Sequence, residues 1–217
     1  MTTVIVCAGG PKQDLPSLKT YASSTDAIFI GADRGSIYLL NQGIVPEEIV
    51  GDFDSLSEEV WIRVSNCVRK IDRVQAEKND TDTDLALEKA LNYKPTEIIV
   101  TGVTGGRLDH FESALRTIYR VQSRNLHIRM KIVNEKNEIQ FLFPGKHPIL
   151  KDDRYQYLSF FAYEQNVKDV TLRGVKYETT NEIIELGTSR FTSNELNSIE
   201  GYISFSSGIC LMIRSSD

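Results

Sequence analysis

The chain has 217 residues, which at a typical ~150 residues per domain allows one large domain or two modest ones. With 41% hydrophobic and 25% charged residues, 14 Gly and 6 Pro, it has the composition of a soluble globular protein and not of a disordered, collagenous or membrane chain. Thirty acidic against 25 basic residues give a net charge of −5, which excludes an electrostatic footprint for nucleic acid or anionic lipid, so an anionic ligand has to be bound locally.

Through about Val133, short β-rich runs alternate with helical patterns, the signature of an α/β domain with a mainly parallel sheet flanked by helices. Strands are expected at Val4–Ala8, Ala27–Ile30, Ile49–Val50, Lys70–Val74, Ile98–Thr101 and Ile128–Val133. Helices with apolar residues at i, i+3 and i+4 are expected at Ser36–Asn41, Glu58–Asn66, Asp82–Leu91 and Leu108–Arg124. After Asn134 the pattern changes to short runs at Ile139–Phe143, Tyr155–Phe161, Val167–Leu172, Glu182–Leu186, Ser198–Phe205 and Ile209–Arg214, separated by polar turns. That spacing predicts an all-β sandwich or barrel. The expected division is therefore residues 1–134 and 135–217, with Pro144-Gly145-Lys146-His147-Pro148 serving either as an interdomain linker or as a hairpin turn.

Cys7, Cys67 and Cys210 are too few and too scattered for a disulfide framework or a C-x-x-C pair, and a reducing cytoplasm is the compartment they suit. No run is long enough for a signal sequence or a membrane span, so no membrane partner is expected. Three histidines argue against a histidine-rich zinc site, and any metal is expected to be a hard ion held by carboxylates.

The chemistry is expected in the loops after the strands of the first domain, which share one edge of a parallel sheet. These are Ala32-Asp33-Arg34-Gly35, Gly51-Asp52-Phe53-Asp54-Ser55, Lys78-Asn79-Asp80-Thr81-Asp82 and Thr104-Gly105-Gly106-Arg107-Leu108-Asp109-His110. An extended backbone through Asp52-Phe53-Asp54 would aim both carboxylates one way and Phe53 toward the core, which suits Mg²⁺. The same stretch also reads as acids before a capping box, Ser55-Leu56-Ser57-Glu58. Asp80, Asp82 and Asp84 at a helix start exceed what a cap needs, and Lys78 is placed to meet a phosphate, yet Asp and Thr are also ordinary caps. Gly105-Gly106-Arg107 offers backbone N–H groups, a helix dipole and a cation to an anion, or is simply a tight turn. It is neither a Walker A loop nor G-x-G-x-x-G. Asp109 and His110 fall in the first helical turn, where both residue types are common without a role. The aromatics of Phe141 to Tyr163 read as sandwich core, and Ser193-Asn194-Glu195 reads as a polar turn.

Taken together, these signatures resemble the bacterial type of the thiamine pyrophosphokinase family, over nearly the whole chain. Asp33-Arg34-Gly35 is similar to its A-D-x-G element, Gly51 to Ser55 to its G-D-F-D-S, and Gly105 to His110 to its G-G-R-x-D-H. Gly174-Val175-Lys176-Tyr177 resembles its G-x-K-Y element and Ser193-Asn194-Glu195 its S-N-E loop. The family's K-D-x-T-D appears with Asn79 in place of the expected Asp.

The resemblance implies a thiamine diphosphokinase: transfer of the diphosphate of ATP to the hydroxyl of thiamine, giving thiamine diphosphate and AMP. It implies a cytoplasmic homodimer with Mg²⁺ as cofactor and a thiamine site shared between the catalytic domain of one subunit and the β domain of the other. Asp52, Asp54 and Asp82 would hold the metal, and Asp33 would either orient or deprotonate the thiamine hydroxyl or serve as an outer-shell metal ligand. Arg34, Ser55, Lys78, Thr81, Gly105, Gly106 and Arg107 would contact ATP, while Asp109, His110, Ser193 and Asn194 would contact thiamine. Two rivals remain at this stage: a Mg²⁺-dependent kinase of another small alcohol that releases ADP, and a non-enzymatic nucleotide- or thiamine-binding regulator.

Overall fold

In the computed structural model, residues 1–54, 56–74 and 80–217 are described. The chain divides into two compact units, Met1–Glu135 and Lys136–Asp217.

The first unit begins with β1 (Thr3–Cys7), a 3-10 turn at Lys12–Asp14 and the short α1 (Lys19–Ala22). It continues through β2 (Ala27–Ala32), α2 (Gly35–Asn41), β3 (Glu48–Gly51), α3 (Glu58–Cys67), β4 (Lys70–Arg73) and α4 (Asp82–Asn92). It ends with β5 (Glu97–Thr101), α5 (Leu108–Arg124) and β6 (Arg129–Val133). Its strands lie in the order β4-β3-β2-β1-β5-β6, every pair parallel. Central strands buried on both faces need continuous apolar runs, and Val4–Cys7 and Ile98–Val100 are all 0% exposed. Helix α5 meets the sheet with Ala114, Leu115, Ile118 and Val121, one face at helical spacing.

The order reverses at β1 and β5, where successive strands run outward in opposite directions, and open α/β sheets bind ligands at the carboxyl edge of that switch point. The loops leaving β1 and β5 touch there: the Gly10 N–H donates to Gly102 O at 2.7 Å and the Ala8 N–H to Thr101 O at 2.8 Å. Glycine is required at this crossing. A Cβ on Gly102, whose φ is +73°, would stand 2.2 Å from Ala8 O, and one on Gly10 would stand 2.4 Å from Gly102 O.

The second unit is all β: β7 (Asn137–Leu142), β8 (Gly145–Leu150), β9 (Tyr157–Ala162), β10 (Val167–Arg173), β11 (Thr179–Ile184), β12 (Glu200–Phe205) and β13 (Cys210–Ser215). Strands β7, β13 and β9 pair antiparallel, and a second antiparallel sheet has the order β11-β10-β12-β8. Both sets contribute to one core that includes Phe160, Leu172, Ile203 and Met212, which is the sandwich expected. The chain is thus an α/β unit with a parallel sheet followed by an antiparallel β unit.

Residues 144–148 are neither linker nor turn, because Gly145–Leu150 form β8, in register with β12 and placing Pro148 opposite Tyr202. The strand is at the edge of its sheet, where a residue without an N–H can be accommodated.

Candidate active site

A cleft of about 620 Å³ opens at the switch point of the first unit. The loop after β2 supplies Asp33 and Arg34, the loop after β3 supplies Asp52, and the start of α4 supplies Asp80, Thr81 and Asp82. The opposite wall carries Gly106, Arg107 and His110 from the loop after β5 and the first turn of α5. Eight of the residues expected from sequence therefore line one cavity: Asp33, Arg34, Asp52, Thr81, Asp82, Gly106, Arg107 and His110.

Local geometry explains how the acids are aimed. Asp33 adopts φ +46°, with its N–H on Val50 O at 2.9 Å, which turns the chain from β2 into α2. Asp52-Phe53-Asp54 does not follow the extended path expected, since Phe53 has φ +59°. A bulky residue is seldom found in that region and stays there only when its surroundings hold it. Phe53 is 4% exposed and packs against Trp61 with the rings tilted at 38° and 4.9 Å between centroids, which supplies that hold. The turn closes with the Asp54 N–H donating to Asp52 Oδ1 at 3.0 Å. Phe53 does face the core, but Asp54 does not line the cleft, and its carboxylate lies 4.0 Å from Arg73. The expected box at Ser55–Glu58 is also corrected: Ser57 caps α3, accepting from the Val60 N–H. Ser55, Lys78 and Asn79 lie outside the described residues.

At α4 the cap is a reciprocal box: the Thr81 hydroxyl accepts from the Asp84 N–H and the Asp84 carboxylate from the Thr81 N–H. Asp84 is 8% exposed and also accepts from Thr117 Oγ1 at 2.7 Å and Arg120 Nη2 at 2.8 Å. Burial pushes its carboxyl up, but the hydrogen bonds from Thr81, Thr117 and Arg120 outweigh that and hold it below the usual carboxylate range. Of the three helix-start acids, one is thus structural and two, Asp80 and Asp82, face the cleft.

On the other wall, Arg107 grips Asp109 with two hydrogen bonds, at 3.1 and 2.6 Å, and both side chains are exposed. The Arg107 bond holds the Asp109 carboxyl below its ordinary value. Asp109 and Gly105 do not line the cleft, and a Cβ on Gly105 would fall 1.2 Å from Asp14 Oδ2.

Ser193 and Asn194 belong to the second unit. Asn194 is 5% exposed; its Oδ1 accepts from the Tyr177 and Glu195 N–H groups and its Nδ2 donates to Tyr177 O. Ser193, at φ +55°, donates its N–H to Ser159 Oγ. Lys176 pairs with Glu195 at 3.0 Å, so Gly174–Tyr177 and Ser193–Glu195 are tied into one structure.

Sequence reasoning missed Gly9, Gly10, Tyr38, Gly102 and Ser113, which also line the cleft, as does Thr104 at the start of the expected loop after β5. The signal was present in Gly9-Gly10 immediately after the first strand, a pair of small residues at the edge where ligands bind. Among the described residues, no three carboxylate, imidazole or thiolate groups converge to enclose a cation. Two carboxylates on one cleft, Asp52 and Asp82, still fit Mg²⁺, which is typically held by one or two carboxylates completed by substrate phosphates and water.

The family model described as thiamin pyrophosphokinase, catalytic domain, matches residues 19–130, and the model described as thiamin pyrophosphokinase, vitamin B1 binding domain, matches residues 146–210. The chain is 40% identical over 217 residues to the thiamine pyrophosphokinase of Bacillus subtilis (strain 168), covering 100% of both. A crystal structure of thiamine pyrophosphokinase from Bacillus subtilis superposes with a TM-score of 0.92 at 37% identity, covering 100% of each chain. One from Geobacillus thermodenitrificans gives 0.89 at 38% identity, covering 100% of this chain and 98% of that one.

Proposed function

This chain belongs to the thiamine pyrophosphokinase family, and from that premise we propose that it transfers the diphosphate of ATP to the hydroxyl of thiamine, giving thiamine diphosphate and AMP. The observation that carries the reading is the cleft itself, with carboxylates on one wall facing a glycine and arginine wall at a helix start. Residues 1–134 are the ATP- and Mg²⁺-binding catalytic domain in this reading, and residues 135–217 the thiamine-binding β domain.

In the transfer, the thiamine hydroxyl oxygen forms a bond to the β-phosphorus while the bond from that phosphorus to the α,β-bridging oxygen breaks, and AMP leaves with the electron pair. Asp33 would orient the hydroxyl and take its proton. Arg34, Ser55, Lys78, Thr81 and Arg107 would steady the polyphosphate, with Gly106 presenting backbone and Gly105 shaping the turn that leads to it. Asp52 and Asp82 would hold Mg²⁺ together with ATP oxygens, and Asp54 would join them by exchanging its long contact with Arg73. When bound, the cation would neutralise phosphate charge and make the β-phosphorus more electrophilic. Asp109 and His110 would meet thiamine from the catalytic domain, and the Ser193-Asn194 loop would do so from the neighbouring subunit of a homodimer. Asn194 acts there as the brace of its loop, because its amide is already bonded to Tyr177 and Glu195.

A cytoplasmic enzyme suits three free cysteines, and among the described residues no helix is long and apolar enough to cross a membrane. The test is to incubate the purified protein with Mg²⁺, ATP and thiamine and to separate the products. Thiamine diphosphate with equimolar AMP is expected; ADP with a monophosphate product, or no thiamine diphosphate at any pH or metal condition, would overturn the reading.

A further inference from the structure

We propose that Asp84 is a positioning residue of the transfer site, whose buried carboxylate locks the acidic wall of the cleft to the glycine and arginine wall. The inference rests on the function proposed above. Asp84 Oδ2 faces the Thr81 N–H and hydroxyl at the start of α4, while Oδ1 faces Thr117 and Arg120 on α5. One carboxylate thus joins the two elements that bring Thr81 and Asp82 on one side, and Arg107, His110 and Ser113 on the other, to the same cavity.

The division of labour follows from helix geometry. At about 100° per residue, Asp82 and Asp84 point about 200° apart, so Asp82 can face the cleft while Asp84 faces α5. Thr117 lies about one turn beyond Ser113, ~6 Å along the axis, so the anchor sits directly behind the cleft wall. A charged acceptor with four donors in a buried place fixes geometry more tightly than the packing of two helix surfaces alone. Releasing it would let the Asp80–Asp82 segment drift relative to Arg107, and a misplacement of ~1 Å in a transfer site can lower the rate ~100-fold.

The test uses Asp84→Asn, which keeps the shape, and the milder pair Thr117→Val and Thr117→Ser. Three quantities are measured: affinity for a non-hydrolysable ATP analogue with Mg²⁺, amide hydrogen exchange across residues 81–85, and kcat with the KM of each substrate. Thr117→Val, losing one hydrogen bond to a charged group, is expected to weaken analogue binding ~10-fold and speed exchange at the start of α4. Asp84→Asn is expected to lower kcat ~100-fold. Thr117→Ser, which keeps the hydroxyl, should match the parent protein in all three quantities.

The proposal is overturned if folded Thr117→Val and Asp84→Asn bind the analogue and turn over like the parent protein. It is equally overturned if Thr117→Ser fails as badly as Thr117→Val, or if activity falls only with the unfolded fraction. Should Asp84→Asn not fold, the Thr117 pair decides alone. Absence of thiamine diphosphate with the parent protein defeats the functional reading instead, and analogue binding and exchange then still decide the role of Asp84.

Discussion

Asp52, in the loop after β3, and Asp82 and Asp84, in the first turn of α4, are the same residue type, and their surroundings give them different work. Asp84 is enclosed and saturated with donors, whereas Asp52 and Asp82 keep carboxylate surface toward the cleft. Removing a charge that acts on the transferring group usually costs 10²–10³-fold in rate. Asp52→Ala and Asp82→Ala are accordingly expected to lower kcat/KM by about 100-fold or more. Steady-state kinetics at limiting Mg²⁺ would check this, and unchanged turnover in either variant would remove that residue from the metal. The residue types were visible in the sequence, but their division was not. Which of three acids in five positions is buried depends on Thr117 and Arg120, more than thirty residues away along the chain.

At the level of the element, periodicity carried far. Leu108–Arg124 is the helix its apolar spacing predicts, because a 3.6-residue repeat of apolar side chains can be buried in no other local conformation. Residues 144–148 defeated the same reading, since two prolines and a glycine mark a turn unless an edge place in a sheet is already known. Phe53 and the Gly10–Gly102 contact belong to the same class of feature, for both are backbone shapes imposed by distant chain. Gly102→Ala is expected to destabilise the protein by about 2–4 kcal/mol, since it adds a left-handed penalty to an overlap with the Ala8 carbonyl. Gly43→Ala is the control: Gly43 also has positive φ, but nothing lies within 4 Å of its added Cβ, so only ~1 kcal/mol should be lost. Chemical denaturation of both variants would measure the difference, and equal losses would show that the close approach is unimportant.

At the scale of the whole molecule, each unit carries a core with a cysteine in it: Cys7 in the first and Cys210 in the second, both 0% exposed. Burial pushes each thiol up to about 12, so neither forms thiolate near neutral pH, while Cys67 is exposed. An alkylating reagent at pH 7.5 should therefore label Cys67 alone in the native protein and all three after unfolding, as mass spectrometry would read. Labelling through a denaturant series should further report the opening of each core separately. Rapid native labelling of Cys7 or Cys210 would contradict the burial on which this rests. By itself the sequence determined the class of each half, most helices and strands, the family, and the short list of acids, glycines and arginines from which a phosphate site could be made. Those features are local, being set by the spacing of apolar residues and by motifs a few residues long. Only the tertiary structure decided that the cleft lies where β1 and β5 part, that Gly9 and Gly10 belong to it, and that Asp84 braces it while Asp52 and Asp82 face it. These outcomes depend on which chain segments pack against one another, and a buried carboxylate or a crowded glycine acquires its role only from a neighbour that folding brings to it.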